Sequence, residues 1–180
     1  SARVVLSALA EQGAILDDLV AAYELSASPF GCGGAADIFF ARPRLSTAGA
    51  VAAVKIPRSG EEAGASAGVE REVEILARAQ GHPNVLRLQG LFLFDAKWCI
   101  ATEYCSGGDL HAAVLQEAFS EARARPVLLG ILSGLAHLHG RGILHLDVKA
   151  ENVLLRSDQG PVLADFGISC LKGRPAPPSS

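Results

Sequence analysis

The chain has 180 residues, 49% of them hydrophobic and 19% charged, with a formal net charge of −3. Mean hydropathy is +0.28 and the isoelectric point lies near 5.9. This apolar content argues against disorder over most of the length, and the slight acidity offers no electrostatic footing for a nucleic acid or a membrane surface. The four cysteines, Cys32, Cys99, Cys105 and Cys170, never fall in a C-x-x-C pair. They read as free thiols of a reducing, cytoplasmic compartment rather than as a disulfide framework or a zinc site. The longest apolar stretch, "VLLGILSGLAHL" at 127–138, is too short to span a bilayer and reads as a buried helix. No signal-peptide pattern is present, and the lack of any methionine together with the abrupt "SARVV" start reads as a piece of a longer protein.

In chain order, residues 4–22 carry apolar residues at helical spacing weakened by Gly13, so 1–22 is expected to be an N-terminal helix or linker. From Tyr23, "YELSASPFGCGGAADIFFARPR" is two strand-like runs around a glycine-rich turn, and "AGAVAAVKIP" at 48–57 is another strand stopped by Pro57. The small-residue loop that follows leads to a helix at 69–79 with Val69, Val73 and Leu76 on one face, ended by Gly81-His82-Pro83. Two further strands flank an Asp95-Ala96 turn. Then come "GGDLHAAVLQ", a long helix at 119–139, the stretch "HLDVKAENVLL" at 145–155, a short strand "PVLA" and "DFG". A strand-rich region over 23–103 and a helix-led region over 104–172 imply two lobes, and the Pro/Ser-rich tail at 173–180 reads as disordered.

Each motif has an ordinary reading. D-x-K-x-x-N at Asp147, Lys149 and Asn152 arises by chance in about one of 8,000 starts, roughly 2% over a chain of this length, so alone it is only suggestive. Gly31 and Gly33 are enough for a tight hairpin, and Lys55 in an apolar strand can snorkel to the surface. His145 by itself reads as a hydrogen-bonded core histidine. The order of the motifs weighs against these readings. A glycine turn, a strand with "AVK", a helix with glutamate, "HLDVKAEN" and "DFG" are together the parts of a phosphate-handling site.

On these motifs, over 23 to about 172, the sequence resembles the eukaryotic protein kinases, in the serine/threonine arrangement with Lys149 two residues after Asp147. The resemblance implies a two-lobed α+β fold, with an antiparallel sheet plus one helix in the N-lobe and a helical C-lobe left incomplete by truncation after "DFG". It implies transfer of the γ-phosphoryl of Mg-ATP to a protein serine or threonine. Lys55 would bind the α- and β-phosphates and pair with Glu72, Glu70 and Glu74 being the competing partners. Asp147 would orient the acceptor hydroxyl, Lys149 would neutralise the γ-phosphate, and Asn152 and Asp165 would ligate Mg²⁺. Gly31 and Gly33 would cover the phosphates. Thr102 would be the gatekeeper, and Glu103 to Cys105 the hinge that pairs with the base. Ile38, Ala53 and Leu154 would sandwich the adenine, Asp109 would reach the ribose, and Gly167 would free the backbone after Asp165. Leu76, Leu88, His145 and Phe166 would form the regulatory stack.

Three departures qualify the resemblance. Ala36 stands where a third glycine is expected, which implies weaker nucleotide binding. Leu146 replaces an arginine that reads a phosphorylated activation loop, which implies activity independent of such phosphorylation. The chain stops thirteen residues after Gly167, so the helix at 119–139 is expected to expose an apolar face. The alternative function is an inactive nucleotide-binding or scaffolding pseudokinase.

Overall fold

A computed structural model of the protein describes residues 15–16, 19–32, 36–44, 51–58, 67–95, 97–158 and 160–174. The chain forms two compact units, one of residues 1–74 and 87–104, the other of 75–86 and 105–180. The segment 75–86, which lies inside the strand-rich region by sequence, therefore clusters with the helix-led residues.

The first unit is built on a seven-stranded sheet. Its strands are β1 (Ile15–Leu16), β2 (Tyr23–Leu25), β3 (Gly31–Cys32), β4 (Ala36–Pro43), β5 (Ala52–Pro57), β6 (Leu88–Phe94) and β7 (Lys97–Glu103). The order is β1-β6-β7-β5-β4-β2, with β3 also paired to β4. All pairings are antiparallel except β1 with β6, where Ile15 faces Leu91 and Leu16 faces Phe92 in parallel register. Alternation along β5 sends Ala52 and Val54 into a core with Leu19, Ala41, Phe92, Cys99 and Ala101, and so leaves Ala53 and Lys55 on the opposite face. Helix α1 (Leu19–Ala22) seats its fully buried Leu19 in that core.

The helix expected over 4–22 is met among the described residues only by α1, because Ile15–Leu16 runs as a strand. The open edge of β6 presents unpaired backbone groups that a strand satisfies and a helix cannot. The rest of that expectation, and the start of the strand expected over 48–57, fall outside the described residues.

Helix α2 (Ala67–Ala79) begins in the first unit and ends in the second. The second unit continues with α3 (Leu110–Gln116), α4 (Glu121–Gly140) and two small antiparallel pairs. These pairs are β9 (Val153–Leu155) with β10 (Pro161–Leu163) and β8 (Ile143–Leu144) with β11 (Cys170–Leu171). Asp109 caps α3 by accepting from the Ala112 N–H at 2.7 Å, and Ser120 caps α4 by accepting from the Arg123 N–H at 3.3 Å. Glycines let α4 lie close to its neighbours: a Cβ at Gly134 would stand 2.8 Å from the Asn84 carbonyl oxygen, and one at Gly130 2.5 Å from Pro161 Cγ. On the other side of α4, Leu128, Leu129 and Leu132 are exposed, which is the apolar face expected for this helix. Gly173 and Arg174 form a turn closed by the Arg174 N–H on the Leu171 carbonyl at 2.9 Å, while the disorder expected from 175 onward lies outside the described residues.

Candidate active site

In the first unit, Lys55 extends from β5 and its Nζ donates to both carboxylate oxygens of Glu72 on α2, at 2.8 and 2.9 Å. A lysine on an apolar strand needs an anionic partner to offset lost hydration. Of the three glutamates left open by the sequence, Glu72 is the one brought to it. Glu74 is buried instead. Ile38 on β4 lies opposite both Gly31 and Lys55 in strand register, and Ala53 lies opposite Thr102. A Cβ at Gly31 would make only ordinary contact with Ile38, 3.6 Å away among the described residues. Gly33 lies outside the described residues. Ala36 opens β4 and is buried.

The Thr102 hydroxyl sits 3.5 Å from the Ala53 carbonyl. Glu103 is buried, with its N–H on the Arg87 carbonyl and its Oε1 accepting from the Arg87 N–H, both at 2.9 Å. Phe30, not singled out in sequence, is exposed immediately before Gly31 and meets Tyr104 edge-on with centroids 5.6 Å apart. The available signal was an apolar residue at the mouth of a glycine turn.

In the second unit, Asp147 is held from two sides. Lys149 Nζ donates to its Oδ2 at 2.9 Å, and Asn152 Nδ2 donates to the same oxygen at 2.8 Å and to the Asp147 carbonyl at 2.9 Å. The Lys149 hydrogen bond, reinforced by Asn152 and working against burial, holds the Asp147 carboxyl below the usual carboxylate range. The same bond raises Lys149. Buried His145 supports the loop from beneath, with Nε2 on the Ala164 carbonyl at 3.0 Å and Nδ1 accepting from the Asp147 N–H at 3.3 Å. Because the carbonyl can only accept and the amide can only donate, the ring is a neutral Nε2–H imidazole. Burial accordingly pushes its pKa down, and its ring packs 5.1 Å from the buried Phe166.

Leu146 and Asp165 both adopt left-handed backbone, with φ of 68° and 58°. The sequence assigned the backbone freedom of the "DFG" segment to Gly167, yet Gly167 is not among the positive-φ glycines. Asp165 takes that conformation itself, since its short carboxylate bonds locally, accepting from the Gly167 N–H at 3.3 Å. Cys105 and Leu154 pack with Leu86, Val162 and Ala164. Asp109, expected at a ribose, has one carboxylate oxygen engaged in capping α3.

The protein kinase domain pattern matches residues 26–178. The chain belongs to the protein kinase domain family. Among curated relatives of this chain, CBL-interacting protein kinase 26 of Oryza sativa subsp. japonica is 34% identical over 142 residues, 78% of this chain and 28% of the relative. CBL-interacting protein kinase 4 of the same organism is 35% identical over 161 residues, 86% of this chain and 35% of the relative. Myosin light chain kinase A of Dictyostelium discoideum is 36% identical over 110 residues, 59% of this chain and 37% of the relative. The chain thus spans roughly a third of the length of such relatives. No helix among the described residues is long and apolar enough to cross a membrane.

Proposed function

We propose that the protein transfers the γ-phosphoryl group of ATP to a serine or threonine hydroxyl of a protein substrate. The observation that carries this reading is the Asp147 carboxylate, fixed by Lys149 and Asn152 in a chain of the protein kinase family. Phosphoryl transfer asks mainly for alignment and charge stabilisation. A carboxylate held below its usual range is a weak proton acceptor, so Asp147 would accept a hydrogen bond from the acceptor hydroxyl, aim its oxygen at phosphorus, and take the proton late. Lys149 would turn from Asp147 toward the γ-phosphate as charge builds there. Lys55, held by Glu72, would meet the α- and β-phosphates. Gly31 and Gly33 would cover the phosphates, with backbone N–H groups facing phosphate oxygens. Ile38, Ala53, Leu154 and Phe30 would lie along the adenine, with Thr102, Glu103 and Cys105 at its edge and Asp109 toward the ribose.

The donors also suit Mg²⁺. Among the described residues no three His, Cys, Asp or Glu group together as a metal site, but magnesium needs only one or two protein oxygens beside phosphates and water. The Asn152 amide nitrogen is engaged by Asp147, which directs Oδ1 the other way, and Asp165 is exposed. These two residues would hold the ion, which supplies charge neutralisation of the phosphates when bound. Free thiols at Cys99, Cys105 and Cys170 support a reducing cytoplasmic setting.

The test is Asp147→Asn, assayed for phosphotransfer to a serine/threonine peptide library and for Mg-ATP binding. Turnover should fall by about 10³-fold or more, in the range of removing a positioned proton acceptor together with its alignment, while nucleotide affinity is kept. Unchanged turnover, or none in the wild type despite bound nucleotide, would favour the scaffolding alternative.

A further inference from the structure

Apart from the loop at Asp147, the second unit contains a pair of histidines whose protonation states are fixed by their partners. His82 lies in the turn after α2, and His137 lies on α4. Their ring centroids are 4.7 Å apart and the rings are tilted by 37°. His82 Nδ1 accepts from the Asn84 N–H at 3.1 Å, so its proton sits on Nε2, which faces the Ser133 hydroxyl of α4 at 3.2 Å. His137 Nε2 faces the carbonyl of Ala79, the last residue of α2, at 2.9 Å, and its Nδ1 faces the Arg141 guanidinium at 3.1 Å. The carbonyl requires an N–H from Nε2 and the guanidinium requires a lone pair on Nδ1, so this ring too is a neutral Nε2–H imidazole. Three of the four ring nitrogens tie the stretch 79–84 to itself or to α4, and the fourth, His137 Nδ1, meets Arg141 at the end of α4.

We propose that the His82–His137 pair is a proton-operated latch, which holds the 79–84 stretch on α4 while both rings are neutral and releases it on acidification. Adding a proton to either Nδ1 sets an N–H against the donor it now accepts from, the Asn84 amide or the Arg141 guanidinium. It also places a positive charge beside Arg141 and the second ring. The groups facing the pair offer no relief. From α2 the contact is the Ala79 carbonyl, from α4 it is Ser133 and Arg141, and from the turn it is Asn84; Arg156 adds another cation at the Pro83 carbonyl. Among the described residues no carboxylate is seen bonded to either ring. Consistent with this, burial first, then His137 and Arg141, push the His82 pKa down. In the released state the His82 ring would titrate near the ordinary imidazole value of about 6.5. The released form therefore binds more protons, and opening is favoured as pH falls below that value. Since α2 is also the helix that carries Glu72, release would free the C-terminal end of the element bearing a proposed active-site residue. The latch itself stands on the geometry of the second unit and not on phosphoryl transfer.

The experiment is amide hydrogen exchange of the full chain at about pH 7.5 and about pH 5.5, corrected for the intrinsic pH dependence of exchange. Protection over 79–86 and around Ser133 to Arg141 is expected to fall by about tenfold per pH unit for each proton taken up, within the titration window. In His82→Asn with His137→Gln, whose amides keep an acceptor or donor but cannot titrate, that acid response should vanish. Protection in this segment that is independent of pH in the wild type, or an acid response retained by the double variant, would overturn the latch. Should the double variant fail to fold, the ring resonances of the wild type decide. A His82 titration displaced below the ordinary imidazole range supports it, and an ordinary one overturns it.

Discussion

Leu146 holds a backbone conformation that a leucine rarely adopts, φ 68°, with 49% of its surface exposed, one residue before Asp147. Left-handed backbone costs about 1 kcal/mol for a residue with a Cβ, and asparagine bears it better. Leu146→Asn is therefore expected to raise unfolding free energy by about 0.5 kcal/mol, read from urea midpoints; a loss of similar size would show that the leucine's packing outweighs its strain. His145 makes a pH prediction. Burial holds its folded pKa below the ordinary value near 6.5. The unfolded chain then takes up a proton first as pH falls, so stability is complete above about 6.5 and declines below it. Urea midpoints at about pH 7.5 and about pH 5.5 should show the acid sample less stable; a more stable acid sample would contradict the assignment of a neutral imidazole. At this scale the sequence was informative where chemistry demands a particular residue type. Lys55, Asp147 and Asn152 could be placed from their order, and Glu72 by its spacing. The left-handed backbone at Asp165 could not, because it goes with a local hydrogen bond from the Gly167 N–H, whereas the sequence pointed only to backbone freedom at Gly167.

Among the elements, α4 shows best why a helix tolerates poor formers. Gly134 and Gly140 lie in the same helix, yet a Cβ at Gly134 would stand 2.8 Å from the Asn84 carbonyl oxygen and 3.0 Å from Leu163 Cδ1, while one at Gly140 would meet nothing within 4 Å. The same substitution should therefore act with opposite signs. Gly140→Ala is expected to stabilise by up to about 1 kcal/mol through helix propensity and reduced unfolded-state freedom. Gly134→Ala should destabilise by about 1–3 kcal/mol through overpacking against backbone. Equal effects in urea unfolding would refute close packing of α4 on the Asn84 turn. Periodicity located α2 and α4 well, since both carry long apolar patterns. It failed at Ile15–Leu16, where the open edge of β6 outcompetes a glycine-interrupted helical pattern. Strand pairing across 75 residues of intervening chain leaves no local trace in the residues that pair.

For the molecule as a whole, the residues proposed for phosphoryl transfer are divided between the two units. The Lys55–Glu72 pair belongs to the first, and Asp147, Lys149, Asn152 and Asp165 belong to the second. The α+β class was readable because the change from period-2 to period-3.6 patterning falls near Glu103 to Cys105. The assignment of 75–86 to the second unit was not, because it depends on contacts such as the Asn84 amide on the Pro161 carbonyl, at 2.7 Å, that join residues far apart in sequence. The account's central claim is that these parts bind Mg-ATP. The most direct measurement is a thermal melt of the chain with and without Mg-ATP, for the wild type and Lys55→Met. At about 100 times its Kd the nucleotide should add roughly 2.7 kcal/mol, an upward shift of several degrees, and Lys55→Met should lose most of it. A cooperative wild-type melt that Mg-ATP leaves unmoved would contradict the claim.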